Sequence, residues 1–184
     1  MTGIRICLIL ASSLPFSPAL RSAGPGDRSI EYKVKAAYIC NFVKFVKWPA
    51  DTLSRTSAGL IICSAAAAPL GGALADAVKD KTVDAHPLAL RHVASESDLK
   101  ACQVLFLSGK DPRKASAELA RADLPGLLTI FDDDVPATDR DSPMISFVFA
   151  SDRIRFSINQ QSAGRAGLTI SSKLLSLAVK TEAR

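Results

Sequence analysis

The sequence predicts an α/β fold: a single layered domain with a mixed β-sheet flanked by helices, ending in a β-hairpin and a final helix. Three observations carry this. The apolar runs "GLIIC", "QVLFLS" and "GLLTIF" read as strands buried on both faces, the habit of strands inside a layered sheet. Helical stretches stand between them, which calls for layers on the sheet. The last quarter changes character, with "MISFVFA" and "IRFSIN" around the turn "SDR", the signature of an antiparallel hairpin.

Residues 1–23 stand apart from this pattern. Arg5 precedes the apolar stretch "ICLILASSL", and "SPALRSAG" supplies small residues for a cut. The run is too short to span a bilayer, and Pro15 and Pro18 break the chain just beyond it. It reads as a secretory signal peptide cleaved after about residue 19 to 23. Residues 30–180 then form one domain, with no internal repeat and no linker. At 184 residues and 48% hydrophobic, the chain has the material for one sizeable core.

The first helix runs through "KAAYICNFVKFVKWP". At 100° per residue, Val34, Tyr38, Phe42, Phe45 and Trp48 share an arc, with Ile39 and Val46 at its edge. Asn41 falls inside that arc; Lys33, Lys44 and Lys47 fall on the other side, with Cys40 among them. Ser29 is placed to cap the helix start, and Pro49 disfavours helical geometry in Trp48. A buried Asn41 needs backbone partners; a slightly rotated helix would expose it instead. After a polar turn comes the strand "GLIIC". The tract "SAAAAPLGGALADAVKDK" passes through a loop into a helix. "HPLALRHV" alternates as a strand, and "SESDLKAC" is a capped helical turn. "QVLFLS" precedes the helix "DPRKASAELARAD", with Asp111 as cap and Pro112 at its first position. "GLLTIF" leads into the acidic turn "DDDVPATDRDSP". After the hairpin, "QQSAGRAGLTISSKLLSLAVK" supplies a short helix, a connector and a last helix opening at Ser171 or Ser172.

Chemistry is sparse. His86 and His92 share a strand face, but an extended chain holds them about 20 Å apart, too far for a zinc pair. Asp132, Asp133 and Asp134 follow a strand where α/β enzymes place metal ligands; the competing reading is a solvated turn. Ser171, Ser172 and Lys173 at a helix start are candidates for holding an anion, although capping alone explains the serines. "PLGGAL" lacks the spacing of a nucleotide loop, and no nucleophile elbow is present. The formal net charge of +5 falls to +4 when residues 1–19, which carry Arg5 alone, are removed. Basic residues are scattered and aromatics make up 6%, so no nucleic-acid partner is expected. The reading is a binding protein with no catalytic residues, no cofactor and no metal. Cys7 leaves with the signal, so Cys40, Cys63 and Cys102 remain in an oxidising compartment. One disulfide and one free thiol is the simplest arrangement.

Taken in order, "YKVKAAYICNFVKFVKWP", "LIIC", "ACQVLFLS" and "IRFSINQQSAGRAGLTISSKLLSLA" resemble the YfiR/HmsC-like family of periplasmic proteins, over roughly residues 32–178. Three departures stand out. Cys40 occupies a position usually held by another residue, "DSPMI" keeps Met144 and Ile145 but lacks the family's preceding glycines, and residues 132–142 lack a second cysteine pair. The resemblance implies a homodimeric regulator without enzymatic activity. Its partner would be the periplasmic part of a membrane-bound diguanylate cyclase of the YfiN type, which it represses, so lowering cyclic di-GMP and biofilm formation in a redox-responsive way. It also implies a disulfide between Cys63 and Cys102, leaving Cys40 free, with Lys44 one turn on to lower its pKa.

The expected partner surface lies in the C-terminal third. Arg153, Arg155, Gln160 and Gln161 are its candidates, the two arginines sharing a strand face opposite Ile154, Phe156 and Ile158. Two other readings remain: a small-ligand sensor or envelope enzyme using the Asp132–Asp134 loop, or a sensor serving another membrane enzyme such as a histidine kinase.

Overall fold

The doubly buried runs form the middle of the sheet. The computed structural model describes residues 25–54, 59–64, 70–93, 95–108, 124–132, 143–150 and 153–179. In chain order the elements begin with helix α1 (Pro25–Phe42), a 3-10 turn (Val43–Phe45), β1 (Val46–Lys47), α2 (Ala50–Ser54), β2 (Leu60–Ser64) and α3 (Leu70–Val78). Next come β3 (Thr82–Val83), β4 (His86–His92), a second 3-10 turn (Glu96–Ala101), β5 (Val104–Leu107) and β6 (Leu128–Phe131). The chain continues through β7 (Ile145–Ala150), β8 (Arg153–Ile158), α4 (Gln160–Arg165), β9 (Thr169–Ile170) and α5 (Ser172–Leu175).

Seven strands pair in the order β3-β4-β2-β5-β6-β7-β8. The run from β4 to β7 is parallel, while β3 and β8 join antiparallel at the two edges. The mixed sheet expected from the sequence is therefore present, and the hairpin pairs Phe147 with Phe156. Alternation along each strand divides the interior in two. Leu60, Ile62, Val104, Phe106, Leu128, Ile130, Ile145, Phe147 and Phe156 face α1 and α3 in the larger core. Ile61, Cys63 and Leu105 face the other way and meet Leu99, Cys102 and Leu127 in a smaller one.

The helical turn at Glu96–Ala101 has the reciprocal cap that its sequence announces. Ser95 and Asp98 each bond the other's backbone N–H. Other elements depart from expectation. The first helix starts at Pro25, so Ser29 lies within it and is not its cap. It stops as an α-helix at Phe42, because Val46 and Lys47 pair with Ile170 and Thr169 in a two-strand ribbon. Five residues after Pro49 are a short helix, and Thr82–Val83 is an edge strand. The last helix opens at Ser172 but is a single turn. Residues 1–23, the "DPRKASAELARAD" helix and Asp133 to Ser142 lie outside the described residues.

Gly126, before β6, has a φ of +77°, and a Cβ there would sit 2.4 Å from Thr52 Oγ1. Both the left-handed backbone and the close approach of α2 require glycine. Gly72 in α3 has open space around its Cβ position. Gly126→Ala is expected to lower stability by about 2–4 kcal/mol, from strain plus overpacking. Gly72→Ala should raise it by about 0.5–1 kcal/mol through helix propensity. Urea unfolding of the two variants measures both, and equal effects would contradict the placement of α2 against Gly126.

Candidate interaction site

α1 lies between two neighbours. Tyr38 and Phe42 face the hairpin: Phe42 is 4.8 Å from the Phe156 ring centroid and Tyr38 5.6 Å, with Phe147 about as close to each. Ala36, Ile39, Cys40 and Val43 are buried in the same core as Leu70, Leu74 and Val78 of α3, which packs along α1. The buried arc is turned by about 100° from the aromatic stripe read in the sequence. This explains Asn41. It is exposed, and its Oδ1 accepts a hydrogen bond from Lys44 Nζ at 3.1 Å. Cys40 is the free thiol, and it is buried in the core that α3 shares, while Lys33 and Lys44 beside it on the helix are exposed. Burial pushes its pKa up, and nearby Lys44 and Lys81 only partly offset that. The expectation of a reactive Cys40 is thus reversed by α3.

Lys35 is a residue that reasoning from the sequence missed. It is 7% exposed, yet carries a charge. Its ammonium bonds the carboxylates of Glu31, one turn back, and Asp132, at the end of β6, and stands 5.8 Å from the Phe147 ring centroid. The signal was in the spacing. Lys35 precedes Tyr38 by three residues and Phe42 by seven, which puts it on the sheet-facing stripe. Burial works against the ammonium, but hydrogen bonds to Asp132 and Glu31 outweigh it, and the pKa is raised. Asp132, expected at the head of a metal-binding or solvated turn, instead ties β6 to α1.

The disulfide joins Cys63 of β2 to Cys102, just ahead of β5, with Cα atoms 5.8 Å apart. Gln103, 2% exposed, completes the same junction. Its backbone N–H donates to Ile61 O at 3.0 Å, and its Oε1 accepts from Ile61 N at 2.8 Å. The side chain continues the β2–β5 ladder where the bridge closes it.

The other candidate residues are not gathered at one place. Arg153 and Arg155 are exposed on β8, whereas Gln160 and Gln161 are exposed at the start of α4, beyond the other end of that strand. Five residues of extended chain put Arg155 and Gln160 about 16 Å apart. Asn159 caps α4, its Oδ1 accepting from Ser162 N at 3.0 Å. Ser171 Oγ accepts from Lys173 N at 3.3 Å, so its hydroxyl serves as the cap of α5, while Ser172 and Lys173 are exposed. His86 and His92 stand at opposite ends of β4. Among the described residues no three His, Cys, Asp or Glu side chains gather as metal ligands would. No described helix is long and apolar enough to cross a membrane.

Lys35→Met is expected to cost about 2–4 kcal/mol, because it removes the ammonium from beside a half-buried carboxylate; adding Asp132→Asn should recover part of the loss. Since the folded-state pKa of Lys35 is raised above its unfolded value, its stabilisation is complete below about pH 10 and is lost as pH climbs through the folded value. Unfolding measured from pH 8 to 12 should show a smaller alkaline loss for Lys35→Met than for wild type. The bridge closes a loop of 39 residues in sequence separation, worth about 4 kcal/mol in the chain-entropy model. Cys63→Ser, Cys102→Ser and the double variant should therefore be destabilised alike. Alkylation of the native oxidised protein should label none of the three cysteines, and after unfolding without reductant it should label Cys40 alone. Label on Cys63 or Cys102 would contradict the pairing.

No curated protein matches the sequence. A family profile does, over residues 32–179, from the residue before Lys33 in α1 to the residue that bonds Phe156 O at the edge of β8. That span contains every strand described above, the disulfide and the Lys35–Asp132 pair, and on it the chain belongs to the YfiR/HmsC-like family.

Proposed function

We propose that this protein is a periplasmic negative regulator. It binds the periplasmic part of a membrane-bound diguanylate cyclase of the YfiN type and represses it, lowering cyclic di-GMP and with it biofilm formation. The family match over residues 32–179 is the observation that carries this reading. The arrangement of the charged groups supports action by binding. The buried ammonium of Lys35 and the carboxylate of Asp132 neutralise each other inside the fold. The rival use of Asp132 as a metal ligand would have to break that pair.

Secretion through residues 1–23 and a homodimeric regulator belong to the same proposal. So does redox control. The Cys63–Cys102 bond is worth about 4 kcal/mol against a typical domain stability of about 5–15 kcal/mol. Reducing conditions in the envelope would therefore remove much of the repressor's stability and release the cyclase. Arg153 and Arg155 stay as candidates for the partner surface, with Gln160 and Gln161 as a separate second contact.

Deleting the gene in its own host should raise cyclic di-GMP at least several-fold while the cognate cyclase is expressed. Complementation with wild type should restore the low level, and Cys63→Ser should restore it poorly, in step with a lower protein level. Unchanged cyclic di-GMP in the deletion, with the cyclase shown to be active, would end the repressor reading.

A further inference from the structure

β4 and β5 flank β2, so the chain that joins them has to cross β2. It crosses on the face that carries Ile61 and Cys63, as the capped turn Glu96–Ala101 followed by Cys102. Both ends of this strap are tied to β2 by backbone. At the start Val93 N donates to Ser64 O at 3.2 Å, and at the end Gln103 N donates to Ile61 O at 3.0 Å. Of the side chains described between Ser95 and Ala101, Leu99 alone is buried. The Cys63–Cys102 bond pins the strap to the strand beneath it.

Gln103 divides the strap from the sheet. Ile61 N–H donates at 2.8 Å to the side-chain Oε1 of Gln103, where a regular parallel ladder would offer a main-chain carbonyl. Gln103 O accepts from Leu128 N, so the residue holds β2 and β6 by three bonds of 2.8 to 3.0 Å. Its side-chain hold on the strap is longer, from Nε2 to Ala101 O at 3.4 Å. Gln103 is buried, so water does not replace these bonds, and breaking them is costly. From Ile62 and Val104 onward the β2–β5 ladder continues without the bridge. The clamp therefore fixes the strands, and the bridge fixes the strap.

We propose that the strap Ser95–Cys102 is a redox-operated lid on the smaller core, hinged at Gln103. The bridge keeps it closed. A dithiol reductant supplies two electrons and two protons: the S–S bond breaks, S–H bonds form on Cys63 and Cys102, and the reductant closes to its own disulfide. The junction then loosens on the strap's side of Gln103. Local opening bares Cys63 and Leu105, while Gln103 keeps β2, β5 and β6 in register. The lid gives the redox control under Proposed function its moving part; its link to the cyclase rests on that reading, and its geometry does not.

The test compares the purified mature protein oxidised and after dithiothreitol, by native amide exchange at increasing urea. The Asp98 and Cys102 amides, which donate to Ser95 O and Leu99 O, report the strap. In the reduced protein they should open at least tenfold more often than those of Ile61, Gln103 and Leu128, with little dependence on urea. In the oxidised protein the Cys102 amide should be at least tenfold slower than in the reduced one. Iodoacetamide should modify Cys63 and Cys102 of the reduced, folded protein at least tenfold faster than Cys40. In reduced Gln103→Leu the Leu128 amide should join the fast opening of the strap, whereas in the oxidised variant it should not. The wild-type measurements decide even where that variant does not fold. A single urea-dependent opening shared by Cys102 and Ile61 in the reduced wild type would mean that the strands part with the strap, and would overturn the lid. So would alkylation of Cys63 and Cys102 no faster than that of Cys40. Selective opening in a protein whose deletion leaves cyclic di-GMP unchanged would keep the lid and sink the cyclase reading.

Discussion

The seating of α1 is the constraint on which the larger core depends. One stripe, Glu31, Lys35, Tyr38 and Phe42, must lie on the sheet, while Ala36, Ile39, Cys40 and Val43 must fit α3 and its surroundings. A helix buried over so wide an arc has little freedom to rotate. Its remaining exposed line is then fixed as Ile30, Val34, Ala37 and Asn41. The same seating forces a lysine into the core, which is tolerable because two carboxylates and an aromatic face meet the ammonium. Replacing Lys35 by a shorter polar group would leave Asp132 without that cation.

The smaller core is held in a different way. Among the described residues it gathers six buried side chains, and two of them are the cysteines of the bridge. The covalent link ties the strand β2 to the entry of β5 within this cluster. Gln103 belongs to the same solution. Its side chain supplies a ladder hydrogen bond where the strand has not yet begun, so the chain enters β5 already in register with β2. A lost bridge would loosen this junction at the centre of the sheet, because β2 and β5 are neighbouring middle strands.

The fold was legible where one neighbour decides the conformation. Apolar runs such as "LIIC" and "VLFL" need only a sheet on both sides, and the Ser95–Asp98 cap is decided within four residues. The hairpin was visible in its alternation and turn. What stayed hidden depends on partners far along the chain. Nothing local marks Val46–Lys47 as a strand, since its partner is Thr169–Ile170. The rotation of α1 could not be read because its aromatic stripe is the stronger periodic signal, yet α3 claims the small residues beside it. For that single reason Cys40 is in the core, and of the two readings open for Asn41 the rotated, exposed one holds. Of the candidate site residues, the cysteines formed the bridge that the family resemblance implied. The arginines and glutamines lie at opposite ends of β8, a separation visible only once the strand's bounds are known.

That α1 holds hairpin and α3 as one cooperative unit is tested most directly by native-state amide hydrogen exchange at increasing urea. The amides of Ile39 to Val43, of Phe147 in the hairpin and of Leu74 in α3 should converge on one opening free energy, with one dependence on urea. Lys35→Met should lower all three together. Protection of Phe147 that persists at its full value after the α1 amides have opened would contradict the cooperative unit.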